Sequence, residues 1–105
     1  MDQRIHEHAA TLVDWSARVE EGDDVVVHVG EGAHELGVAV AEKLGERDAN
    51  MLACYSSGEM QRAYLRAHGG DFVTDPDFER TLYEEADAVL SLGGTRNTSA
   101  SADVP

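Results

Sequence analysis

Lysine is almost absent from this 105-residue chain: Lys43 stands alone, and the basic residues together number 8 against 21 aspartates and glutamates. The formal net charge of −13 repels a phosphate backbone and an anionic lipid surface, which disfavours nucleic acid and membrane as partners. An acidic, lysine-poor surface suits high salt, where screening relieves self-repulsion, and it points to a halophilic source. An ordinary acidic cytosolic protein is the alternative. Long apolar runs are also missing. No stretch approaches the roughly 20 residues that a spanning helix requires. The opening Met1-Asp2-Gln3-Arg4 leads straight into a helical pattern and not into a signal core. A cytoplasmic protein is expected. Cys54 is the single cysteine, so an internal disulfide is excluded; within Met51 to Tyr55 it reads as a small buried thiol.

What is present is enough for one domain with a modest core, because 42 % of the residues are hydrophobic. Helical and extended patterns alternate. Ile5, Ala9, Leu12, Val13 and Val19 recur at helical spacing, with Gly22 placed to end that helix. The β-branched run Val25 to Val29 is the clearest strand, and 33–47 reads as a second helix with Leu36, Val40 and Leu44 four apart. A second strand is predicted over 51–55. Ser56 followed by Glu59 has capping-box spacing and should open a third helix reaching Ala67, broken at His68-Gly69-Gly70. Asp75-Pro76 should start a short helix with Phe78 and Leu82 on one face, ahead of a third strand over 88–92. This order predicts an α/β fold: a three-layer, Rossmann-like parallel sheet of about three strands with flanking helices. The chain holds no internal repeat and no linker within its body. Three strands are few for a sheet that needs both faces covered, so residues 1–105 are expected to be an incomplete portion of a larger fold.

The motifs taken singly establish no chemistry. Gly30-Glu31-Gly32 after the first strand resembles a nucleotide loop, but Glu35 stands where a third glycine is needed and Glu31 adds a second carboxylate. A glycine-permitted turn explains the loop better. His6 and His8 are two apart on a helix and point in different directions; His28 lies in a strand and His34 near a helix start, without carboxylates at ligand spacing. Ser56 and Ser57 read as helix caps, since no nucleophile-elbow pattern surrounds them. Trp15 and Tyr64 read as packing residues on helices. The polar loop of Gly93, Gly94, Arg96 and Asn97 lies beyond the carboxyl end of the third strand, where open α/β sheets bind ligands, and could hold an anionic group such as a peptide carboxylate. A solvated connection is the simpler reading. No residue is assigned a catalytic, cofactor-binding or metal-binding role.

Order and spacing carry a resemblance. Ala9-Ala-Thr-Leu-Val-Asp-Trp-Ser16 followed by Glu21-Gly-Asp-Asp-Val-Val-Val27 is similar to the start of the thermophilic-aminopeptidase (aminopeptidase T type) family. That family has a helix with a "leu-val-x-x-ser" stretch, a "gly-asp/glu-x-val-x-val" strand, and a "gly-ala-asn" turn into the second strand. Here the turn reads Arg47-Asp48-Ala49-Asn50, with Asp48 where glycine is usual. Tyr83-Glu-Glu-Ala-Asp-Ala-Val-Leu90 resembles the approach to the third strand, in which an aspartate precedes the strand. The resemblance spans essentially the whole chain. It implies an enzyme that releases N-terminal residues from peptides with two divalent ions, zinc or cobalt, held by glutamate, histidine, tyrosine and aspartate ligands of a later, C-terminal domain. None of those ligand motifs occurs before Pro105, so neither metal nor catalysis is expected of this segment, which would shape the cleft and support the catalytic domain. A homodimer is an admissible assembly. Two other readings stay open: a free-standing Rossmann-like or flavodoxin-like binding module, and a non-enzymatic domain that pairs with another subunit.

Overall fold

The computed structural model describes residues 2–68 and 77–93. Helix α1 (Gln3–Ala10) begins at Asp2, whose carboxylate accepts the Arg4 backbone N–H at 2.8 Å. That bond, and next the Arg4 side chain, hold the Asp2 carboxyl below its ordinary range. A π-helical segment, Thr11–Ser16, continues α1. The first helix therefore stops well short of Gly22, where its periodicity predicts the end. The reason lies at Arg18, whose φ of 51° falls in the left-handed region and turns the chain back. The Val19 N–H then reaches the Val13 carbonyl at 3.0 Å, and Val19 enters the core from outside the helix.

Strand β1 (Asp24–Val29) leads through helix α2 (His34–Glu46) to β2 (Asn50–Tyr55), then through helices α3 (Gly58–His68) and α4 (Asp77–Glu85) to β3 (Ala88–Leu92). All pairings are parallel and the strand order is β2-β1-β3, so the first strand is central. The fold is the small Rossmann-like α/β sheet that the alternating patterns predict. Gly69, Gly70, Asp75 and Pro76 lie outside the described residues.

Strand side chains alternate between faces. On one face Val25, Val27 and Val29 join Leu90 and Leu92, and they pack against Ala9, Val13, Val40 and Leu44 of the α1–α2 layer. Each such buried valine or leucine contributes roughly 1.5–3 kcal/mol. Close packing here rests on Gly37: a Cβ at that position would lie 3.3 Å from Val29 Cγ2. The opposite face is thinner. Val26 is buried, while Leu52 is 48 % and Val89 43 % exposed, and α3 and α4 bury none of their residues.

Candidate functional site

At the carboxyl ends of the strands the sheet meets two helix starts. The Gly30–Ala33 loop closes as a tight turn, with the Ala33 N–H donating to the Gly30 carbonyl at 3.1 Å and Gly32 at φ 85°. Only glycine adopts that left-handed position without cost. Glu31 then projects across to the next loop, where its Oε1 accepts the Gly58 N–H at 3.2 Å. The start of α3, which would attract an anion, is thus occupied by the chain's own carboxylate. Glu35 adds a second negative charge in the first turn of α2. Glu31 and Glu35 thus bring two carboxylates to the glycine loop and the helix starts beside it, which disfavours an anionic ligand there.

The cap of α3 also differs from expectation. Ser57, not Ser56, caps it, its Oγ accepting the Met60 N–H at 3.3 Å; Ser56 extends the sheet ladder by donating its N–H to Val29 O at 3.0 Å. Glu31, Ser56, Ser57, Gly58 and Gln61 line a shallow polar cleft there. Beside it the Tyr55 hydroxyl and His34 Nδ1 are 3.1 Å apart. Gly93 reaches the same end of the sheet, in a second cleft with Gly32 and Arg4. Gly94, Arg96 and Asn97 of the polar loop lie outside the described residues.

The histidines are dispersed. His6 Nδ1 is 3.7 Å from Glu42, His34 meets Tyr55, and the His68 ring stands edge-on to Tyr64. His28 lies on the thin face of β1, where its Nε2 is 2.8 Å from the Tyr83 hydroxyl of α4. The register places His28 between Cys54 and Ser91. Desolvation, and then Glu79 and Cys54, raise the Tyr83 phenol above its ordinary value. No spacing in the sequence announces this contact between residues 55 apart. Among the described residues no group of three or more His, Cys, Asp or Glu is placed to hold a metal ion.

A second polar cluster lies at the other, amino end of the sheet. The Gly22 N–H donates to the Asp48 carbonyl at 3.0 Å, and the Asn50 N–H to Asp23 O at 2.8 Å. Asn50 Nδ2 donates to Asp24 Oδ1 at 2.9 Å. Asp87 completes the network in both directions: its Oδ2 accepts the Asp24 N–H at 2.7 Å, and its own N–H donates to Asp24 O at 2.8 Å. Asp48 has φ 57°, in the left-handed region. One hydrogen-bonded cluster therefore fastens the starts of all three strands. No protein-family model matches the chain, and no curated protein shows significant similarity to it.

Proposed function

We propose that this chain is the N-terminal α/β segment of a metal-dependent aminopeptidase, a non-catalytic support for a catalytic domain that follows it. One observation carries the reading. Gly22, Asp48, Asn50 and Asp87, the scattered residues of the family resemblance, belong to a single network that sets the strand starts. The left-handed backbone at Asp48 supplies the physical reason for glycine at that position in the family.

At the carboxyl edge the chain's own groups take up the helix starts. Glu31 occupies the α3 start, Ser57 is spent as a cap, and the histidines are held apart. The same facts weigh against the free-standing nucleotide-binding or flavin-binding module. Its phosphate would have to displace Glu31 and lie beside Glu35.

Two tests separate these readings. Translation of the encoding DNA beyond the Pro105 codon should yield a domain with spaced Glu, His, Tyr and Asp ligands. An immediate stop codon contradicts the proposal. Thermal denaturation of residues 1–105 with nucleotides or flavin should leave the melting temperature unchanged, whereas a saturable rise would put the binding module first.

A further inference from the structure

The strand order marks a crevice apart from the polar cleft at α3. Strand β1 hands the chain through α2 to β2, while its other neighbour, β3, receives the chain from α4. With both crossovers right-handed, the two connections run on opposite faces and diverge at the carboxyl ends of β1 and β3. Open α/β sheets bind ligands at such a switch point. The Gly30 N–H donates to Leu92 O at 2.7 Å and closes the two strands just below it. Above them Gly32 and Gly93 add no side chains, and the first turns of α1 and α2 complete a cleft of about 420 Å³. Small-molecule sites span roughly 300–1,000 Å³.

The lining carries both signs of charge. Helix α1 supplies Arg4 and His8, one turn apart, and α2 supplies Glu35. The Asp2 carboxylate is taken up by the backbone and side chain of Arg4, whose guanidinium keeps further donors. His8 and Glu35 have no hydrogen-bond or ion-pair partner among the described residues. Ile5 and Leu36 line the same cleft and pack partly buried against the core, which gives it an apolar component.

A simple anion here meets Glu35, and a simple cation meets Arg4. A molecule bearing both charges is opposed by neither. We infer that the crevice binds a small zwitterion with an apolar side chain, an amino acid of the leucine type. Its ammonium is held by Glu35, its carboxylate by Arg4 and His8, and its side chain lies against Ile5 and Leu36. Because α1 and α2 pack on one another, both charges must be met within one cleft. That suits the adjacent charges of a free amino acid better than the separated termini of a peptide. The inference uses no metal and no scissile bond, so it stands independently of the aminopeptidase reading.

Nuclear magnetic resonance titration of isotope-labelled residues 1–105 tests it. L-Leucine should shift the amides of Gly32, Leu36 and Gly93 saturably. Leucinamide, which lacks the carboxylate, and isocaproate, which lacks the ammonium, should each bind at least about tenfold more weakly, as should leucine to Glu35→Gln. Glu35 is exposed, so that variant should keep the wild-type spectrum elsewhere, and the two analogues decide without it if it does not. No saturable shift up to the solubility of leucine would overturn the inference. Equal affinity for leucinamide or isocaproate would do the same, as would shifts confined to Ser57 and Gly58.

Discussion

Asp48 holds a backbone conformation that L-residues adopt at a cost, with φ at 57°, while its carbonyl accepts the Gly22 N–H. Asp tolerates this region better than most side chains, yet glycine removes the steric term. Asp48→Gly is therefore expected to raise stability by about 0.5–1 kcal/mol, read from urea midpoints at constant m value. Tyr83 offers a pH prediction. Its folded pKa lies above the unfolded 10.0, so its contribution is complete below that value and lost as pH rises through the folded pKa. Ultraviolet titration should show one tyrosine ionising late, and Tyr83→Phe should remove that component. The glycine-permitted turn at Gly30–Gly32 was legible in the sequence. The Tyr83–His28 contact was not, because it joins α4 to β1 across 55 residues.

Elements were the most legible scale. The β-branched run Val25–Val29 and the spacing of Leu36, Val40 and Leu44 both report burial directly, and β1 and α2 lie where those patterns put them. The first helix was misjudged because Val19 keeps helical spacing yet reaches the core by a chain reversal at Arg18, which a periodicity does not register. The α3 cap shifted by one residue because Ser56 is drawn into the sheet ladder. Two glycines of α2 should separate packing from propensity. Gly37→Val drives methyl groups toward Val29 and should cost about 1–3 kcal/mol, whereas Gly45→Ala, with open space around it, should gain about 0.5–1 kcal/mol. Thermal melts of the two variants check the opposite signs.

At the scale of the whole molecule, charge and coverage dominate. A net charge of −13 with a single lysine predicts stability that climbs with salt, since the screening length falls from about 10 Å at 0.1 M to about 3 Å at 1 M. Melting temperatures in rising KCl should increase steadily; a flat response would favour the ordinary acidic protein. Coverage of the sheet is unequal, with one face packed against α1 and α2 and the other leaving Leu52 and Val89 exposed. The sequence did not show which face would be left thin, because that depends on how closely α3 and α4 approach it.

The central claim is that this segment supports a metallopeptidase without performing its chemistry. Hydrolysis of an amino-acid p-nitroanilide in zinc or cobalt, by residues 1–105 and by the product of the reading frame extended past Pro105, tests it most directly. Metal-dependent release by the extended protein, abolished by chelation, is expected, and none by residues 1–105. Turnover by residues 1–105 alone, or an extended protein that stays inert with metal, would contradict it.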